Sequence, residues 1–299
     1  MALRVVWSPR YEVDIGAHVF PTAKYRLVRD RLVEAGVVGP DAFVEPEPAP
    51  DADLLRVHTS GYLRTIADDA FTPGERARLE VPFTPALADA MRLCCGGTVL
   101  ACRLALEDGV ACHLGGGFHH AFAGHGEGFC LFNDVAVAAA ALLDEPAVAR
   151  VAVVDLDVHH GNGTAAMFAA EERVFTFSMH DEANYPAVKP PSDLDVGLAR
   201  GTGDEAYLAR LDAALPEVLD GFRPDLVLYL AGADPYRQDQ LGGLSLTMGG
   251  LRRRDRMVLR GCRERGIPVA TVPAGGYAVR TGDTVAVHAA TVEEAVAAI

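Results

Sequence analysis

In one stretch of the chain, Asp155, Leu156, Asp157, Val158, His159, His160, Gly161, Asn162 and Gly163, acids and imidazoles follow directly on an apolar run, Val151 to Val154. In an extended strand end side chains alternate, so Asp155, Asp157 and His159 share one face. Two carboxylates and an imidazole at the mouth of a buried strand are costly, and a divalent cation offsets that cost. Metal binding is the chemistry this segment predicts.

Three further clusters also follow apolar runs. After Val110 to Leu114 come Gly115, Gly116, Gly117, Phe118, His119 and His120, then His125, Gly128, Phe129, Cys130 and Asn133. Glycines permit tight turns and close approach of backbone to a ligand, and adjacent histidines in a turn can converge on one site. The plain alternative is a polar loop with incidental histidines. After Leu226 to Leu230 comes Asp234, which either caps the next segment or completes, with Asp157 and His159, three ligands of a catalytic zinc-type site. Such a neutral set calls for an accessory base, and the His119–His120 pair is the candidate. After Val269 to Val272, Gly275 and Gly276 precede Tyr277, whose hydroxyl could lie over the metal or whose ring could pack as core.

These residues need a scaffold that brings several strand ends together. The runs Val110–Leu114, Val151–Asp155, Val174–Ser178, Leu226–Leu230 and Pro268–Val272 read as buried parallel strands. Helical patterns lie between them, near Pro85–Glu107, Asp134–Leu143, Asp204–Leu219 and Leu251–Arg265, with Gly109, Gly221 and Gly266 as stops. Tyr25, Val28 and Leu32 mark an N-terminal helix. Val44 to Asp53 reads as a surface connection and Pro190 to Gly203 as a loop over one end of the sheet. The alternation predicts an α/β domain, and ligands of such sheets bind beyond the carboxyl ends of the strands. No linker divides residues 1–299, so one domain is expected.

Of 299 residues, 50% are hydrophobic, enough for a sizeable core. The formal charge of −14 is the wrong sign for holding nucleic acid through its phosphates. No apolar run approaches the roughly 18 residues of a membrane span, and the opening MALRVVWSPR lacks a secretory hydrophobic region, so a cytoplasmic protein is expected. The six cysteines show no CxxC spacing and should be reduced. Among 27 basic residues only Lys24 and Lys189 are lysines, a skew that suggests a bacterial, GC-rich coding sequence.

Taken together, GGGFHHAFAGHGEGFC, DLDVHHGNG, AGADPYRQDQLGGLS and AGGY resemble the zinc-dependent histone deacetylase family, above all its class IV branch and bacterial relatives. The resemblance runs from about Lys24 to Tyr277. It implies an arginase/deacetylase-like α/β fold with a central, mostly parallel, roughly eight-stranded sheet flanked by helices. It also implies Zn2+ held by Asp157, His159 and Asp234, with His119 and His120 flanking the scissile amide. Tyr277 would be the oxyanion donor, Asp155 the partner of His119 and Asn162 the partner of His120. Gly128, Phe129 and Tyr185 would line an acyl-lysine tunnel. A K+ or Na+ behind the zinc would use Asp155 and Ser178 with carbonyls of Asp157, His159 and Met179.

The sequence departs from the family at Val19, where a proline follows His18 in class IV relatives, and in the loop from Asp181 to Tyr185. The function expected is hydrolysis of an N-acyl amide, acetyl or longer, on lysine or a related amine. An acetylpolyamine or small-metabolite amidohydrolase is the nearest alternative. A catalytically silent acyl-ligand binding protein is less consistent with an intact set of ligands, histidines and tyrosine. A binuclear manganese ureohydrolase needs a carboxylate where Gly161 stands.

Overall fold

The computed structural model describes residues 3–299; Met1 and Ala2 lie outside them. Eight strands, β1 (Arg4–Val6), β2 (Phe43–Val44), β3 (Val110–His113), β4 (Val151–Asp155), β5 (Val174–Asp181), β6 (Leu194–Leu198), β7 (Leu226–Leu230) and β8 (Val269–Val272), form one sheet. Their order is β2-β1-β3-β8-β7-β4-β5-β6, and every neighbouring pair is parallel. The expected fold class is thus present, with a sheet that is wholly rather than mostly parallel.

Ten α-helices accompany the strands among the described residues: α1 (Lys24–Glu34), α2 (Asp51–Leu54), α3 (Ser60–Ala67), α4 (Pro73–Leu79), α5 (Pro85–Asp108), α6 (Asp134–Leu142), α7 (Asn162–Phe168), α8 (Asp204–Pro216), α9 (Met248–Glu264) and α10 (Thr281–Ala298). Side-chain alternation along the strands builds two cores. Val151 and Val153 of β4 pack with Met91 of α5 and Val135 of α6 on one face. Ala152 and Val154 join Val28 of α1, Leu211 of α8, Val258 of α9 and Val285 of α10 on the other. Because both faces are covered, the central strands read as unbroken apolar runs.

Local chemistry sets the element ends. Thr84 accepts a hydrogen bond from Leu87 N to start α5, and Asn133 accepts one from Ala136 N to start α6. Gly109, at φ +86°, ends α5 and turns the chain into β3. Two expectations need correction. The stretch from Pro190 to Gly203 is not simply a loop, because Leu194–Leu198 forms edge strand β6 in register with β5. Its outer exposure admits Asp195 and Gly197, so it lacks the apolar run of a central strand. The segment from Val44 to Asp53 is likewise not all connection, since it begins in β2 and ends in α2.

Candidate functional site

Four strands adjacent in the sheet, β3, β8, β7 and β4, supply the four polar clusters from their carboxyl ends. From β3 the chain passes through Gly115–Gly117 to His119 and His120. Gly117 sits at φ +84°, and a Cβ there would fall 2.3 Å from the Ala274 Cα, so this turn needs glycine. Its amide and that of Phe118 donate to the buried Asp134 carboxylate, at 3.0 and 2.7 Å. Asp134 thereby anchors the turn that carries both histidines.

Strand β4 ends at Asp155, and the chain then turns. Asp155, Asp157 and His159 consequently do not converge on one point, as an extended end would require. Asp155 Oδ2 lies 2.6 Å from His119 Nδ1, while Asp157 and His159 face Asp234 from β7. Donor atoms of Asp157, His159 and Asp234 all lie within 4.8 Å of one another, and all three residues are buried. His159 Nδ1 is 3.0 Å from Asp157 Oδ1 and 3.2 Å from Asp234 Oδ2.

Backbone amides hold these carboxylates in place. Gly275 N donates to Asp157 Oδ2 at 2.7 Å, and Val158 N donates to Asp234 Oδ1 at 2.9 Å. Asp234 Oδ2 is buried and accepts no hydrogen bond. Burial, reinforced by Asp157, pushes the Asp234 carboxyl up to about 7. Burial opposes the charge on Asp157, but His119 and His159 hold its carboxyl well below the usual range. A buried carboxylate oxygen that accepts no hydrogen bond and faces an imidazole and a second carboxylate belongs to the donor set a divalent cation fits.

The histidine pair stands beside this set, with ring centroids 4.1 Å apart. Burial disfavours charge on His119, yet Asp155 and Asp157 raise it to about 9. His120 is lowered instead, by burial and by the neighbouring His119 and His159. Its Nδ1 lies 2.7 Å from Asn162 Oδ1, and Asn162 Nδ2 donates to Glu127 Oε1 at 2.7 Å.

A cavity of about 220 Å³ opens onto these groups, lined among others by Gly128, Phe129, Tyr185, Tyr277 and Phe20. Tyr277 N donates to Asp239 Oδ2 at 2.6 Å, and its ring meets Phe129 edge to face at 5.8 Å. Burial and the Asp157 and Asp234 charges raise the phenol's pKa well above its ordinary value, so it stays a donor. Despite Val19, the His18 segment contributes to this cavity: Phe20 lines it, and the His18 ring packs on Phe129 at 4.9 Å.

Ser178 stands in register with Asp155 across β4 and β5, although its Oγ lies 3.0 Å from His180 Nδ1. Met179 is buried beside it. His160, His180 and Asp195 bring together another three donor atoms near this end of β5. Several supporting residues were not singled out in the sequence, although Glu127 and Asp239 lie inside two of the matched stretches: Asp134, Asp239, Glu127 and Arg254, whose Nη1 donates to Gly232 O at 2.6 Å. Lys24 is also one, donating from a buried Nζ to Ala274 O at 2.7 Å, with burial lowering it to about 8 despite Asp234 and Asp157. Only their contacts reveal them. All six cysteines are free and buried.

A family model described as the histone deacetylase domain matches residues 18–292. An uncharacterized protein of Picosynechococcus sp. is 42% identical over 96% of both chains. Histone deacetylase 2 of Arabidopsis thaliana is 34% identical, covering 91% of this chain and 74% of its own. Among solved structures, the HDA15 HD domain superposes with a TM-score of 0.80 at 26% identity, covering 96% of this chain and 89% of its own. With four strand ends converging as described and the match spanning nearly the whole chain, the protein belongs to the histone deacetylase domain family.

Proposed function

We propose that the protein is a zinc-dependent deacylase that hydrolyses an N-acyl amide on lysine or a related amine. The observation that carries this reading is the meeting of Asp157, His159 and Asp234, with one buried carboxylate oxygen accepting no hydrogen bond, at a narrow cavity shared with Tyr277 and two histidines. Zn2+ held by those three residues would supply Lewis acidity toward the acyl carbonyl and the attacking water.

The remaining work falls to the chain's own groups. Tyr277 donates its hydroxyl hydrogen to the oxyanion that develops on the acyl carbonyl. Asp155, a carboxylate 2.6 Å from His119 Nδ1, favours the charged ring and suits it to deliver a proton to the departing amine. Asn162 is an uncharged partner for His120, which leaves that ring neutral and suited to accept a proton from water. Phe129 and Tyr185 give the cavity aromatic walls for an extended acyl-amine stem, with Gly128 leaving room beside Tyr185. A K+ or Na+ between the ends of β4 and β5, on Asp155, Ser178 and carbonyls of Asp157, His159 and Met179, completes the proposal.

The test is turnover of one lysine peptide carrying acyl groups from acetyl to myristoyl, alongside acetylated polyamines and small acetylated metabolites, with metal content measured in parallel. Asp157→Ala and His159→Ala should lose zinc and turnover together. Zinc-loaded wild-type protein that turns over nothing across this panel would instead support a silent acyl-ligand binding protein. Two manganese ions per chain would point to the ureohydrolase alternative.

A further inference from the structure

His120 and Asn162 meet through atoms whose roles a lone amide does not decide. An asparagine side chain presents an acceptor on one side and a donor on the other, with nearly the same shape either way. With Oδ1 toward the ring, Nδ1 of His120 must carry hydrogen, and Nε2 keeps a lone pair. With Nδ2 toward the ring, Nδ1 becomes the acceptor, and Nε2 carries the hydrogen of a neutral imidazole. Only the first arrangement lets the cavity side of the ring accept a proton.

We infer that Glu127 is a positioning residue, whose carboxylate locks the Asn162 amide so that His120 keeps hydrogen on Nδ1 and a lone pair on Nε2. A carboxylate has only acceptors to offer, so the Asn162 atom 2.7 Å from Glu127 Oε1 must be the amide nitrogen. That fixes Oδ1 on His120 Nδ1, also at 2.7 Å.

Glu127 is itself held firmly. Glu127 N donates to Cys130 O at 3.0 Å, and Cys130 N donates back to Glu127 O at 2.9 Å, closing a tight turn through Gly128 and Phe129. The side chain is only 17% exposed. Its other oxygen, Oε2, lies 3.5 Å from His125 Nε2, and the Tyr185 hydroxyl lies beside the same carboxylate. The turn that lines the cavity thus also carries the group that orients the histidine.

The consequence for turnover rests on the hydrolase reading above, whereas the ring's tautomer does not. The experiment therefore measures both, on zinc-loaded protein with 15N-labelled histidine, by long-range 1H–15N NMR and by steady-state kinetics. Wild-type His120 should show hydrogen on Nδ1. In Glu127→Gln the amide of residue 127 can donate or accept, so the Asn162 flip is no longer decided. The His120 signals should shift toward the Nε2–H form, and kcat should fall about 10-fold with KM within about twofold, the scale of an outer hydrogen-bond partner.

Asn162→Asp alone sets its new carboxylate against that of Glu127 and should also lose turnover. Combining Asn162→Asp with Glu127→Gln should recover most of kcat and the Nδ1–H signal, because the carboxylate introduced at position 162 accepts both from His120 and from the amide introduced at position 127. Unchanged tautomer and kcat in Glu127→Gln, or a double variant no better than either single one, would overturn the assignment. Absence of turnover in wild type would overturn the hydrolase reading and leave the NMR comparison to decide the role of Glu127.

Discussion

Tyr277 is held from every side except its hydroxyl. Its amide donates to Asp239, its carbonyl accepts from Gln240 Nε2 at 2.8 Å, and its ring packs against Phe129. None of these contacts uses the phenolic oxygen, so Tyr277→Phe keeps the ring in place and deletes one donor. Metal content should be unchanged, and kcat should fall about 10²- to 10³-fold, the scale of one oxyanion donor. Full activity in that variant would remove Tyr277 from the proposed mechanism. Asp157, His159, Asp234 and Tyr277 could be picked out from sequence because each follows an apolar run ending at a turn. Glu127 and Asp239 lie within two of the family-like stretches, but nothing there marked their roles. Glu127 sits among glycines 35 positions before Asn162, and nothing local shows that its carboxylate reaches the Asn162 amide.

At the scale of elements, the five strands legible in the sequence are those that are buried almost throughout and begin as apolar runs, and four of them are the strands that carry the site. What escaped was short, lateral or terminal: β1 has 3 residues, β2 has 2, and β6 alternates polar and apolar on an edge. The order that makes β3, β8, β7 and β4 neighbours was not legible either, since strand pairing is a long-range property. Helix α5 and strand β3 are joined by a polar contact of the same long-range kind. His113 of β3 is buried, with Nε2 2.8 Å from the Tyr11 hydroxyl and Nδ1 3.0 Å from Thr98 Oγ1 of α5. Burial lowers the His113 pKa to about 3, from an ordinary 6.5. The unfolded chain then binds a proton that the folded chain refuses. Stability from this group is fully present above pH 6.5 and drains away as the pH falls toward 3, at ~1.4 kcal/mol per unit. His113→Gln removes the titrating group along with its bonds. The variant should be less stable than wild type at neutral pH, and the gap should narrow steadily below pH 6.5. Urea unfolding at several pH values measures that gap, and a gap independent of pH would mean that His113 titrates normally in the fold.

For the whole molecule, the site concentrates cost where four strands end. Asp157 and Asp234 are buried carboxylates in one small volume, and the fold tolerates them because backbone amides of Gly275 and Val158 hold one oxygen of each. Asp234 Oδ2 has no such partner. Such a site is expected to trade stability of the metal-free protein for affinity toward a cation. Asp234→Asn keeps the oxygen that accepts from Val158, removes a negative charge and gives Asp157 a donor. In chelator the variant should melt higher than wild type, by about 2–4 °C for each kcal/mol recovered. In excess zinc the order should reverse, because a ligand stabilises the folded state in proportion to its affinity, and wild type binds it more tightly. Melting curves of both proteins, with chelator and with added zinc, would show the crossing. If wild type melts higher under both conditions, the Asp234 carboxylate is a structural partner within the fold and not a site kept ready for metal.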